Sequence, residues 1–294
     1  MQKEKILAFD VGGTFVKSAV VRDREAFDFK LVKTPLNLDD FIKLIQTTTE
    51  EAAQKHQFKK IGLGLPGFIN FKQQIALTCP NLPYLDNFSP DILQTDEQII
   101  IANDADLALS GEIIANNLSG KTCALFTLGT GVGGAISFGG LWPFDISYSG
   151  EFGHIKIVKD GPPCDCGQRG CLESFIGKKA IITRAKQTIS PEINTVLEVF
   201  ESARNNNPQA VEIVEDFGKN LAIGIANVVN ITGVQTFFLS GQIAKSADLF
   251  FGFIKPQLAQ KVSFYANRDI EVRIAFDPEK NALFGAQALF KENA

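Results

Sequence analysis

The chain has 294 residues, of which 45% are hydrophobic and 21% charged, and its formal net charge is −4. This is the composition of a soluble globular protein, long enough for a large core and for two domains of ordinary size. The negative balance, with only short basic runs such as Lys59-Lys60 and Lys178-Lys179, excludes bulk attraction to nucleic acid or to anionic lipid.

The opening MQKEKILAFD holds no apolar stretch long enough for a signal peptide, and no run approaches the ~18 apolar residues that span a bilayer. The chain has five cysteines, an odd number, and three of them are clustered, which argues against an extracellular disulfide framework. A cytoplasmic location is therefore expected. Cys79 and Cys123 have no cysteine neighbour in sequence and read as small buried hydrophobes.

In chain order, Ile6–Phe9 and Phe15–Val21 read as two strands, with Gly12-Gly13 supplying the backbone freedom for the bend. A helix is predicted from Leu38 to about His56, capped by Asn37 or Asp39, with Phe41, Leu44 and Ile45 at helical spacing. KKIGLGLPGFIN is a buried strand ending in a Pro-Gly turn. QIIIANDADLALSGEIIA is a strand to about Ala102, then a helix from about Asp104. After Gly120 a second strand, glycine turn and strand begin in KTCALFTLGTGVGGAISFGGLW. The repetition suggests two related halves. Helices are then predicted over residues 174–189 and 208–230, a strand in TFFLSG, a helix from Ala247, a strand in EVRIAF and a last helix in NALFGAQALF. Alternating strands and helices argue an α/β fold. The expected domains are residues 1–118, rejoined by a C-terminal helix at 281–294, and residues 119–280.

Three glycine sites suggest a bound nucleotide. In DVGGT, Gly12 and Gly13 would let backbone N–H groups approach an anion, Thr14 adds a donor, and Asp10 could hold Mg²⁺ directly or through water. An ordinary Gly-Gly hairpin turn is the alternative. LGTGVGG offers Gly129, Thr130, Gly131 and Gly133. It is neither a P-loop nor a dinucleotide fingerprint, because no Gly-Lys-Ser/Thr follows and strand rather than helix comes next. Two such hairpins would clamp the phosphates of one nucleotide from both sides of a cleft. Gly241 of LSGQIA, between a buried strand and a helix, suits the base or ribose.

The stretch GEFGHIKIVKDGPPCDCGQRGCLESF uses three of the five cysteines and one of the two histidines. The spacing His154-x9-Cys164-x-Cys166-x4-Cys171 completes a tetrahedral zinc site, with Gly167 and Gly170 allowing the tight path between the last two sulfurs. A disulfide or free thiols are the alternatives. With four protein ligands no position is open for catalysis, so the zinc is expected to be structural. It would orient His154, whose second ring nitrogen can bond elsewhere, and would bring Glu151 and Glu173 with the imidazole to one wall of the cleft.

The motifs DVGGT, LPGFI, CPNLP, NDAD, LGTGVGG, GEFGH and CDCGQRGCLE, in this order over residues 10–173, resemble those of the ROK (repressor, open reading frame, kinase) family, in particular its glucokinase-like sugar kinases. NALFGAQAL resembles the family's C-terminal segment. The resemblance implies a two-domain, actin-like (ribonuclease-H-like) α/β fold with a nucleotide and sugar cleft. It implies phosphoryl transfer from Mg-ATP to a hexose hydroxyl, usually O6, and a homodimer. It implies Asp104 as general base and Gly67, Asn103, Asp104, Glu151, His154 and Glu173 as sugar-binding residues, with His154, Cys164, Cys166 and Cys171 as zinc ligands. As a helix cap, Asp104 would need no catalytic role, and Asp106 stands nearby. Phe15 and Asn70 depart from a basic and an acidic residue common in the family, and Ser240 from a glycine; Lys17 follows two positions after Phe15. Glucose is the first expected acceptor, with N-acetylhexosamines and β-glucosides as alternatives. The selecting loops are FINFKQQIALTCPNLPYLDNF and GGLWPFDISYSGEF, where Trp142, Phe144 and Tyr148 could stack on a sugar face or pack in the core. The alternatives of another class are a non-catalytic sugar-binding protein, against which the Asn103-Asp104 pair and both glycine turns speak, and a transcription regulator, since the family also includes repressors with an N-terminal DNA-binding region. With DVGGT beginning at residue 10, no such region and no nucleic-acid partner are expected.

Overall fold

The computed structural model describes residues 4–139, 142–145 and 148–291, and the chain divides into two compact units. One takes in Met1–Lys121, Ile136–Ser149 and Glu279–Ala294. The other takes in Thr122–Ala135 and Gly150–Pro278.

In the first unit β1 (Ile6–Val11) and β2 (Phe15–Arg22) form the predicted hairpin. Neither Gly12 nor Gly13 has a positive φ. Gly12 is closely approached: its N–H donates to the Phe15 carbonyl at 2.9 Å, and a Cβ there would sit 3.1 Å from the same oxygen, tighter than ordinary contact. A third strand, β3 (Glu25–Lys33), pairs with β2 at the sheet edge. It was not predicted because an edge strand buries little, and this one has no fully buried residue. Helix α1 (Leu38–Ala53) is capped by Asn37, whose side chain accepts from the Asp40 N–H at 2.9 Å, and it buries Phe41, Ile45 and Ala52.

Strands β4 (Lys60–Leu65), β5 (Phe68–Asn70), β6 (Ile75–Thr78) and β7 (Gln98–Asn103) follow, and α2 (Asp104–Ala115) leaves β7 directly. The main sheet runs β3-β2-β1-β4-β7, with β1, β4 and β7 parallel. Parallel strands are covered on both faces, which is why IGLGL in β4 is buried throughout. The short β5–β6 hairpin was read only as a turn. The C-terminal helix Asn281–Gly285 lies so close to α2 that a Cβ on Gly111 would fall 2.0 Å from the Asn281 carbonyl oxygen. It continues as a 3₁₀ turn, Ala286–Phe290, rather than as one helix over 281–294; residues 292–294 of that expectation lie outside the described residues.

In the second unit β8 (Cys123–Leu128) and β9 (Val132–Ser137) flank the second glycine turn, and the last two residues of β9 count with the first unit. The predicted helix over 174–189 is two helices, α3 (Glu173–Ile176) and α4 (Lys178–Thr188), because Gly177 between them is extended. Helix α5 (Val196–Arg204) was not predicted, although its capping box, Thr195 with Glu198, is written in the sequence. Helix α6 (Pro208–Thr232), β10 (Thr236–Ser240), α7 (Ala247–Lys261) and β11 (Glu271–Ile274) complete the unit. The sheet order is β11-β10-β8-β9, with β8, β10 and β11 parallel. Its helical layer is held by Phe200, Phe217 and Phe250, the last two edge-on at 4.7 Å between ring centres. Among the described residues no helix is long and apolar enough to cross a membrane.

Candidate active site

The first unit brings four of the predicted residues together at the end of β7. Asn103 is the N-cap of α2: its Oδ1 accepts from the N–H of Ala105 at 2.8 Å and of Asp106 at 3.2 Å. Its Nδ2 donates to the Gly67 carbonyl at 2.9 Å. One side chain therefore caps the helix and fastens the Pro-Gly turn to it. Gly67 has φ +109°, and a Cβ there would lie 2.2 Å from the Thr78 carbonyl oxygen, so only glycine fits.

Asp104 is the first residue of α2, and its Oδ1 accepts from the Ala105 N–H at 2.9 Å. Its carboxyl is pushed up to about 7, first by burial and second by the Asp10 carboxylate, against the opposing pull of the Ala105 N–H and Lys17. The sheet register explains why Asp10 is near. Asp10 pairs with Gly64, Gly64 with Ala102, and a Cβ on Gly64 would stand 3.6 Å from the Asp104 Cα. A Cβ on Gly64 would also stand 3.1 Å from Leu107 Cδ1 and 3.3 Å from the Phe9 carbonyl oxygen, so a glycine here lets the start of α2 pack closely on β1 and β4. Lys17, opposite Asp10 across the β1–β2 ladder, donates to Asp10 Oδ2 at 2.8 Å. Gly13, Thr14 and Phe15, at the β1–β2 turn, are exposed. An acidic oxygen donor beside that turn suits Mg²⁺, with Lys17 as a competing cation.

The predicted sugar-stacking aromatics separate. Trp142 stacks on Phe144 and Phe144 packs on Phe71 at 4.7 Å, so both serve the protein's own packing. Tyr148 is 61% exposed and 6.1 Å from Phe68 between ring centres. Residues 140, 141, 146 and 147 of that loop lie outside the described residues.

In the second unit the ligand atoms of His154, Cys164, Cys166 and Cys171 all lie within 4.8 Å of one another, the only such group of metal-binding side chains among the described residues. The Cys166 and Cys171 sulfurs are 3.7 Å apart. That is too far for a disulfide and close to the ~3.8 Å edge of a tetrahedron with ~2.3 Å Zn–S bonds. His154 Nδ1 is 3.7 Å from the Cys164 sulfur. The four donors fit one zinc ion. Gly167 and Gly170 both have positive φ, at 82° and 74°, as the tight path between the sulfurs requires. Lys156 donates to the Cys171 sulfur at 2.8 Å, and sequence reasoning did not identify it.

His154 Nε2 is 3.8 Å from Glu151 Oε2, so its two ring nitrogens face the knot and the carboxylate respectively. Burial raises the Glu151 carboxyl above its usual range although half the side chain is exposed; His154 opposes the shift and Glu173 adds to it. Glu173 Oε2 accepts from the Val132 N–H at 2.8 Å, and a Cβ on Gly131 would come within 2.3 Å of the same oxygen. A Cβ on Gly241 would fall 2.4 Å from the Leu128 carbonyl oxygen, so the third glycine site abuts the start of the second glycine turn, while Thr130 at its tip is exposed. Beside that turn is a cavity of about 720 Å³, walled by Thr130, Cys164, Glu173, Lys179, Arg184 and Asn220 among others. Its volume lies within the ~300–1,000 Å³ common for small-molecule sites.

The sequence matches the ROK family over residues 6–293. The chain belongs to the ROK family. It is 30% identical over 273 residues to a glucokinase of Halalkalibacterium halodurans, covering 84% of this chain and 82% of that one. It is 27% identical over 295 residues to an N-acetylmannosamine kinase of Vibrio cholerae, covering 98% and 100%. A crystal structure of a ROK glucokinase from Streptomyces griseus, in complex with glucose and AMPPNP, superposes with a TM-score of 0.83 at 24% identity, covering 97% of this chain and 98% of that one. This ROK chain has the actin-like α/β fold.

Proposed function

We propose that this ROK protein is an ATP-dependent hexose kinase whose general base is Asp104. The kinase class rests on family membership and on the glucokinase and N-acetylmannosamine kinase relatives. The observation that carries the residue assignment is the Asp104 carboxyl, held near neutrality at the junction of β7 and α2.

A sugar hydroxyl is a poor nucleophile at neutral pH. As its oxygen bonds to the γ-phosphorus of Mg-ATP and the bond to ADP breaks, its proton passes to Asp104. A base with a pKa near 7 is ionised often enough to accept that proton and basic enough to hold it. Asn103 holds sugar hydroxyls and is fixed for this by its two cap bonds and its bond to Gly67. In the second unit Glu151, His154 and Glu173 accept from or donate to the remaining hydroxyls. Asp10, Gly12, Gly13, Thr14, Gly129, Thr130, Gly131, Gly133 and Gly241 serve the nucleotide, and Asp10 is the carboxylate for its Mg²⁺. The base and ribose take the cavity beside Thr130. Zinc, bound by His154, Cys164, Cys166 and Cys171, supplies structural cross-linking and no chemical step.

Glucose is the first acceptor and O6 the position. N-acetylmannosamine is the second reading, because the relative so named spans the whole chain. The test is a panel of hexoses, N-acetylhexosamines and β-glucosides incubated with Mg-ATP, with ³¹P NMR of the product. A phosphomonoester coupled to the C6 methylene of one sugar supports the assignment; turnover confined to a different hydroxyl overturns the O6 position.

A further inference from the structure

Val132 closes the second glycine turn, and neighbours of the metal ligands grip it from two sides. Its N–H donates to Glu173 Oε2 at 2.8 Å, and Glu173 lies two residues after Cys171. Its carbonyl oxygen lies where a Cβ on Gly153 would come within 2.0 Å, and Gly153 immediately precedes His154. The residues on either side of Glu173 are tied to the knot: the Leu172 N–H donates to the Ile155 carbonyl at 2.8 Å, and the Ser174 N–H to the Cys171 carbonyl at 3.0 Å. Its other carboxylate oxygen is 3.8 Å from the Cys164 sulfur. The cavity wall repeats the same pairing, with Thr130 from the turn and Cys164 and Asp165 from the knot, and Glu173 between them.

We propose that Glu173 couples the metal knot to the Gly129–Val132 turn, so that metal binding and nucleotide binding favour each other. The proposal rests on the reading of that turn and cavity as the nucleotide site. Glu173 here is a positioning residue: it holds the Val132 N–H, and through it the turn, in the place the knot dictates. A filled knot fixes Glu173, and a fixed turn presents its N–H groups without further ordering when the nucleotide arrives. Linkage makes the effect reciprocal: the factor by which zinc tightens nucleotide is the factor by which nucleotide tightens zinc.

The test uses the full chain, zinc and ADP, without sugar. The ADP dissociation constant is measured by calorimetry on zinc-loaded and chelator-stripped protein. The rate of zinc release to a chromogenic chelator is measured with and without saturating ADP. We expect stripping to weaken ADP on the order of tenfold, and ADP to slow zinc release, within the usual range of allosteric coupling. Glu173→Ala, with zinc content verified by mass spectrometry, loses both effects. Glu173→Gln keeps an oxygen for the Val132 N–H and retains part of them. If stripped protein unfolds, the release rates on loaded protein carry the test alone. ADP that binds equally with and without zinc and leaves the release rate unchanged overturns the coupling and leaves the kinase reading standing. So does coupling undiminished in Glu173→Ala. Failure of every form to bind ADP overturns the nucleotide site itself, and the coupling with it.

Discussion

Lys17 donates to Asp10 at 2.8 Å, and both charges act on Asp104, Asp10 raising its pKa and Lys17 lowering it. Turnover that needs Asp104 ionised therefore rises with pH through about 7. Lys17→Met removes the one positive charge in this balance and leaves Asp10 uncompensated. Its acid limb moves to higher pH, read from kcat/KM, which reports the free enzyme, between pH 5.5 and 9, a range of about 3.5 pH units chosen to bracket the working range of such a base. An unmoved limb would separate Lys17 from the base.

The same shift has a stability consequence of known sign. Between the ordinary 3.8 and about 7 the folded chain keeps a proton that the unfolded chain has released. Folding free energy therefore weakens as pH rises through that window. Asp104→Asn, which cannot ionise, loses this dependence. Urea melts of the two proteins across the window should diverge, with the wild type falling relative to the variant as pH rises.

Asn103 does structural and binding work with one amide. Asn103→Ala removes the cap of α2, costing about 1 kcal/mol, and leaves the Gly67 carbonyl without its donor. Asn103→Asp keeps the acceptor for the Ala105 and Asp106 N–H groups but cannot donate to Gly67. Thermal melts should rank the aspartate variant above the alanine one, while sugar KM rises in both.

Cys166→Ser should lose zinc and stability together, because structural zinc binding is folding free energy. Lys156 refines this expectation. Three thiolates around a dication leave net negative charge, and the Lys156 ammonium lies against the Cys171 sulfur. Lys156→Met should release zinc to a chelator about tenfold faster, the low end of the usual effect of such outer contacts. Lys156→Arg should restore most of the difference.

The metal knot was legible in the sequence because its ligands lie within one short loop, where spacing alone carries the geometry. The start of α2 was legible because a strand run stops at Asn103-Asp104, residues that cap helices. Gly64 was not, since what calls for a glycine there is close packing against Leu107, Phe9 and Asp104, residues distant in sequence. Nor was the Glu173–Val132 bond, which joins residues 41 apart. The break at Gly177 was readable as a glycine inside a helical pattern, and Thr195-x-x-Glu198 as a capping box. Strand β3 was hidden by its edge position, which puts charged side chains where a buried strand would show apolar ones.

The central claim is that Asp104 takes the proton of a sugar hydroxyl. Its most direct test is sugar-dependent ADP release from Mg-ATP by zinc-loaded wild type and Asp104→Asn, with sugar affinity measured alongside. We predict release by the wild type and a loss of 10²–10⁴-fold in the variant, on the order expected for removing a general base, with folding intact. Near-normal turnover in Asp104→Asn would contradict the claim.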